Sequence, residues 1–254
     1  MHIEGQIVLV SGGASGLGEA TVRFFATAGA DVAILDANEN RGKSVAVDVG
    51  GYCGICDITD ADEVAKTISE VVSHFGQPPR IIVNCAGVGW AARVIGKDGE
   101  LSLSLFRQVM EVNLFGTYNV MSYAARALID SPALENGERG VIINTSSAAY
   151  EDGQIGQTAY AASKGAISSL CLPAAREFAR HGIRVMTIAP GLFRTPMMEG
   201  LSENTVAGIS RVIPFPSRLG VPDEYARLIG EIVQNSYLNG SIIRLDGAVR
   251  LPPK

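Results

Sequence analysis

Short apolar runs rich in β-branched residues recur along this chain, and stretches of helical periodicity separate them. The runs fall at 6–10, 31–35, 51–56, 80–85, 141–143, 183–188 and 241–245. Helical spacing is read over 19–28, 39–47, 60–75, from Ser102 onward, from Thr158 onward and over 222–234. Strands that alternate with helices can bury both faces only as one parallel sheet with helices on each side. The pattern therefore predicts a single α/β domain over 1–254, with a central sheet of about seven strands. With 47% hydrophobic and 19% charged residues, the 254-residue chain can bury a sizeable core. In such a sheet, ligands sit outside the carboxyl ends of the strands, so the residues that follow each run deserve the closest reading.

The first run leads into Ser11-Gly12-Gly13-Ala14-Ser15-Gly16-Leu17-Gly18, and then a helix ends at Gly29. Strand, glycine turn and helix is the context of a dinucleotide phosphate site. Glycines let backbone N–H groups approach the pyrophosphate, which rests on the positive end of the helix. The second run closes on Asp36, 18 residues after Gly18, where a carboxylate can accept from the adenosine ribose hydroxyls and repel a 2′-phosphate. No Arg or Lys stands at Ala14 or Ser15 or directly after Asp36. NAD rather than NADP is expected. A competing role for Asp36 is to cap the helix that follows. Asp57 stands at the end of the third run, where an adenine edge could be read, and Thr59 is the expected cap of the next helix. Asn84-Cys85-Ala86-Gly87 ends the fourth run.

Asn144-Thr145-Ser146-Ser147 ends the fifth run, and Tyr160 and Lys164 lie on the helix beyond. Residues four apart on a helix have Cβ atoms roughly 5–6 Å apart. An ammonium so close to a phenol favours phenolate. Tyr160 is thereby expected to be an acid/base usable near neutral pH, with Ser147 holding a substrate oxygen beside it. Asn113 sits inside a long helix, where asparagine is disfavoured because its side chain competes for backbone groups. Residues 88–101 form a glycine-containing loop with the only tryptophan, Trp90, and 197–213 reads as a substrate-covering flap or a packing helix.

Other classes fit poorly. A formal charge of −5 argues against nucleic-acid binding. No run of 18 apolar residues could span a membrane, and residues 1–10 do not read as a leader, so a cytoplasmic protein is expected. Cys53 and Cys56 have metal or redox spacing but no second Cys/His pair, so buried thiols and no metal are expected.

Taken together, Gly12-x-x-x-Gly16-x-Gly18, Asn84-x-Ala86-Gly87, Asn113, Ser147, Tyr160-x-x-x-Lys164 and Pro190-Gly191 resemble the short-chain dehydrogenase/reductase family, in its order and over essentially the whole chain. Within the family, residues 140–145, 153–157, 184–193, 214–220 and 244–247 look most like its type-II 3-hydroxyacyl-CoA dehydrogenases. Ser146 departs from the small apolar residue often found there and is given a packing role.

The resemblance implies a doubly wound, Rossmann-like fold. It also implies an NAD-dependent oxidoreductase that interconverts 3-hydroxyacyl-CoA and 3-ketoacyl-CoA. Tyr160 is the implied acid/base, Lys164 its partner on the nicotinamide ribose, Ser147 the substrate-oxygen ligand and Asn113 the support of a water relay. Implied cofactor contacts are Gly12, Ser15, Gly16, Leu17, Gly18, Asp36, Asp57, Ile58, Asn84, Cys85, Ala86, Gly87, Tyr160, Lys164, Pro190, Gly191, Phe193 and Thr195. A homotetramer is implied as well. The alternatives are a hydroxysteroid or other secondary-alcohol dehydrogenase, a 3-ketoacyl carrier-protein reductase, and a non-catalytic subunit of a larger complex.

Overall fold

The computed structural model describes residues 1–196, 208 and 210–253. Its core is one parallel sheet of seven strands: β1 (Ile7–Ser11), β2 (Asp31–Asp36), β3 (Tyr52–Ile55), β4 (Ile81–Asn84), β5 (Gly140–Thr145), β6 (Ile183–Pro190) and β7 (Ile242–Leu245). They lie in the order β3-β2-β1-β4-β5-β6-β7. The expected α/β architecture is present, and the order reverses between β1 and β4.

Around the sheet run the helices α1 (Gly16–Thr27), α2 (Glu39–Val49), α3 (Ala61–Phe75), α4 (Leu103–Met110), α5 (Thr117–Ile129), α6 (Ala149–Asp152), α7 (Thr158–Ala179) and α8 (Pro222–Gln234). Successive strand residues point to opposite faces, so each strand feeds two cores. Val8, Val10, Ile34, Ile143 and Ile188 pack with Val22 and Phe25 of α1 and Tyr225 and Ile229 of α8. Leu9, Leu35, Ile82, Ile142 and Val185 pack with Val64 of α3, Val120 of α5 and Cys171 of α7. With both faces covered, the strands read as unbroken apolar runs.

Local chemistry moves several boundaries from their expected places. Helix α1 begins at Gly16, three residues before Glu19, because the glycine turn runs straight into it. The cap of α3 is Asp60, not Thr59: its Oδ1 accepts from the N–H groups of Asp62 and Glu63 at 2.9 and 3.0 Å. Thr59 instead donates both its N–H and its hydroxyl to Asp57. Between α4 and α5 the helix widens into a π turn, Glu111–Gly116, which contains Asn113.

The register brings the strand ends to one edge. Ser11 lies opposite both Leu35 and Asn84, Asn84 opposite Asn144, and Thr145 opposite Ile188. The segment 197–213, expected as a flap or a packing helix, lies outside the described residues except for 208 and 210–213.

Candidate active site

At that edge, where the order reverses, a cleft of about 600 Å³ opens. That is the size of a small-molecule site. Its floor is the glycine turn. Gly12 has φ +69, and a Cβ on it would stand 2.6 Å from the backbone of Ala86; a Cβ on Gly18 would overlap the carbonyl oxygen of Gly12. The turn after β1 and the one after β4 are thus in backbone contact, which only glycine permits.

Asp36 ends β2 at the rim. Its Oδ2 accepts from the N–H of Ala14 at 3.0 Å and its Oδ1 from the N–H of Asn38 at 2.9 Å. Asp36 is not the cap of α2; Asn38 is, accepting from the N–H of Arg41. Each carboxylate oxygen keeps a lone pair free, which suits the two hydroxyls of a ribose. Arg41, five residues on, reaches back to the carbonyl of Ala14 at 3.0 Å and to Glu19 at 3.0 Å. This cation was not visible in the reading of Asp36's immediate neighbours. Its bonds to Ala14 and Glu19 tie it to the glycine turn and to α1.

Ser15, Gly16, Leu17, Asp57, Ile58, Cys85, Ala86, Gly87, Pro190, Gly191, Phe193 and Thr195 line the same cleft. Asn84 does not. Its side chain is buried, accepts from Ser11 Oγ at 3.1 Å and donates to Asn144 Oδ1 at 2.9 Å. Its polar groups are spent in joining β1, β4 and β5, so it shapes the cleft from beneath.

At the other end stand the residues of chemistry. Tyr160 and Lys164 lie one turn apart on α7, with Lys164 Nζ 5.8 Å from the ring centroid. Ser147, two residues past β5, lines the same cleft as the phenol, and its Oγ accepts from the N–H of Ala149 at 3.2 Å. Lys164 is buried and donates to the carbonyl of Thr145 at 2.8 Å.

The electrostatics run against the expected acidification of the phenol. Burial pushes Tyr160 above its ordinary value, and only the neighbouring Ser147 hydroxyl opposes it. Burial pushes the Lys164 amine down, to about 8. Residue spacing shows that two groups are close but not that both are dry. Desolvation penalises the charged form of each, and the amine's hydrogen bond runs to the Thr145 carbonyl.

Asn113 is fully buried in the π turn. Its Oδ1 accepts from the N–H of Val88 at 2.8 Å, and its Nδ2 donates to the carbonyl of Val88 and to Ser163 Oγ, both at 3.0 Å. Ser163 in turn donates to the carbonyl of Tyr160 at 2.8 Å. Asn113 therefore pins the loop after β4 to the tyrosine's turn of α7. π turns inside helices are frequent at functional sites.

Three further residues escaped the sequence reading. Thr145 hydrogen-bonds the carbonyl of Asn84, and the phenol of fully buried Tyr225 lies 2.7 Å from its hydroxyl. Ser146, expected only to pack, donates to the carbonyl of Lys164 at 2.8 Å. All three are polar residues inside apolar surroundings, and that is the one signal that could have found them.

The glycine floor, a rim carboxylate with free lone pairs and a buried amine facing a phenol fit a dinucleotide cofactor. The short chain dehydrogenase family model matches residues 6–206. The chain belongs to that family. A nicotinamide cofactor and a small-molecule substrate follow from membership. Human 3-hydroxyacyl-CoA dehydrogenase type-2 is 43% identical over 99% of this chain and 97% of its own length. The Drosophila melanogaster protein of the same name is 41% identical, with 99% and 100% covered. The crystal structure of 3-hydroxyacyl-CoA dehydrogenase type-2 from Mycobacterium avium superposes with a TM-score of 0.93 at 41% identity, covering 98% of both chains.

Proposed function

We propose that this dehydrogenase interconverts 3-hydroxyacyl-CoA and 3-ketoacyl-CoA with NAD. The observation that carries the reading is near-complete alignment, at 41–43% identity, with proteins of that name. The chain's own Ser147, Tyr160 and Lys164 meeting in one cleft support it.

When bound, the nicotinamide accepts or returns the hydride, and in its oxidised form it carries positive charge. Ser147 donates to the substrate oxygen. Tyr160 removes that oxygen's proton in oxidation and supplies it in reduction. Such proton transfer is worth roughly 10²–10⁴-fold. Lys164 holds positive charge under the phenol and positions the ribose. Asp36 takes the adenosine ribose, which favours NAD because a 2′-phosphate would meet its carboxylate, with the neighbouring Arg41 tied to Glu19.

One catalytic unit over 1–254, a homotetramer and a cytoplasmic setting complete the reading. The last is supported by the four cysteines, all unpaired. No described helix is long and apolar enough to cross a membrane.

The test follows reduced-cofactor absorbance with NAD or NADP over a panel of 3-hydroxyacyl-CoAs, a steroid and simple secondary alcohols. Preferred turnover of the CoA esters with NAD is expected. Equal rates across the panel would move the reading to a general alcohol dehydrogenase, and no turnover of any member would favour a non-catalytic subunit.

A further inference from the structure

Outside the cleft, one guanidinium gathers three carboxylates. Arg244, on β7, places Nη1 2.5 Å from Glu151, Nη2 2.6 Å from Asp152 and Nε 2.7 Å from Asp246. The arginine, Asp152 and Asp246 side chains are only 15%, 12% and 7% exposed, and Arg250 adds a longer contact to Asp246 at 3.3 Å. Two of these acids, Glu151 and Asp152, make up half of α6.

That helix is one turn long and starts two residues after Ser147. A single turn does not hold itself together, because nucleation costs more than its few hydrogen bonds return. It persists only if anchored from outside. Its amino end is tied to the serine: the N–H of Ala149 donates to Ser147 Oγ, and the N–H of Tyr150 to the Ser147 carbonyl. Its carboxyl end is tied to Arg244. The other side of the cluster is fixed without the arginine, since Gly191 donates to the Leu245 carbonyl and Ala248 to Asp246.

We infer that Arg244 is a positioning residue that sets the Ser147 hydroxyl against Tyr160 by anchoring α6 to the end of β7. This rests on the role given to Ser147 in the proposed reaction. Arginine is required because only its planar fork meets carboxylates on three sides; a lysine ammonium is a point charge.

The experiment compares Arg244→Lys, Arg244→Met, Asp152→Asn, Ser147→Ala and the double variant Ser147→Ala/Arg244→Lys. It reads kcat, substrate KM, the dissociation constant of NAD and the melting temperature. Misplacing a reacting group by about 1 Å can cost up to about 10²-fold, so a kcat loss of about 10- to 100-fold is expected for Arg244→Met. A smaller loss is expected for Arg244→Lys and the least for Asp152→Asn, with NAD affinity within about threefold throughout. Arg244→Lys should cost nothing further in the Ser147→Ala background, because the two residues act as one unit.

If Arg244→Met does not fold, Arg244→Lys and Asp152→Asn carry the comparison. Wild-type kcat in both, with only a lower melting temperature, makes the cluster purely structural and overturns the inference. Additive losses in the double variant overturn it too. Wild-type turnover in Ser147→Ala overturns the underlying reading of the serine instead.

Discussion

The two ends of the cleft are built by opposite means. In the proposed reading the adenosine end is mostly local: β1, the glycine turn, α1 and β2 span residues 7 to 36 and supply backbone N–H groups and the Asp36 carboxylate, with Asp57 and Ile58 added from beyond β3. The catalytic end is assembled from distant segments. Asn113 reaches Ser163, Thr145 meets Tyr225, and Lys164 donates to Thr145. A site made of backbone in a short segment is hard to lose except by filling its space. A site made of side chains from four elements can be detuned at many points without unfolding.

The sharpest break of the catalytic end alone is Tyr160→Phe. It removes the proton-transferring oxygen while leaving the ring, so turnover should fall by about 10²–10⁴-fold. NAD affinity, measured by fluorescence titration, should stay near wild type. Parallel loss of both would show that the two ends are not separable.

Lys164→Met tests the electrostatics. The amine titrates near 8 in the folded chain and near 10.4 when unfolded. Between those values the unfolded chain holds a proton that the folded one lacks, so this group's contribution to stability rises with pH through that window. Below pH 8 its full penalty is present, about 3 kcal/mol. Replacing it by methionine should abolish most turnover yet raise stability at pH 7 by about 2 kcal/mol, after the lost bond to Thr145 is offset. Urea unfolding at pH 7 and 10 checks this; a stability gain that is no smaller at pH 10 would refute the titration. The same logic makes oxidation rise with pH over the neutral range, because burial holds the Tyr160 proton on.

At the adenosine end, Asp36→Ala removes an acceptor for ribose. Hydrogen bonds to charged groups are worth about 1.5–3 kcal/mol, so NAD affinity should drop by roughly 10- to 100-fold. NADP should gain relative to NAD because the repelling charge is gone. An unchanged NAD-to-NADP ratio would remove Asp36 from the selectivity.

The same contrast governs what the sequence revealed. The strand–glycine–helix segment was readable because its parts are neighbours in the chain, and Asp36 could be placed by counting. Tyr160 and Lys164 were readable for the same reason, lying four apart on one helix. Their titration was not, because spacing carries no information about solvent. Asn84 sits at the expected strand end, yet its side chain turns inward between Ser11 and Asn144, a choice set by partners 73 and 60 residues away. Thr145, Tyr225, Arg41 and Arg244 were missed because each matters through a contact that only the folded sheet creates. The π turn at Asn113 left a trace, a disfavoured residue in mid-helix, without its geometry.

The smallest effect gives the finest comparison. Because the Thr145 hydroxyl is committed to the Asn84 carbonyl, Tyr225 must be the donor in their contact. Tyr225→Phe therefore strands no buried donor. It leaves Thr145 short of one bond on its acceptor side and loses a weak contact with Cys85 at 3.7 Å. The stability cost should be about 1 kcal/mol, the ordinary worth of one hydrogen bond. Thr145 is also the residue whose carbonyl holds Lys164, so a connected catalytic end should show a few-fold change in kcat and a displaced pH profile, with NAD affinity untouched. If the variant loses its 1 kcal/mol in stability but keeps the wild-type pH profile, the polar groups beneath the cleft act one by one. Connection across the catalytic end would then stop at the residues that touch Lys164 directly.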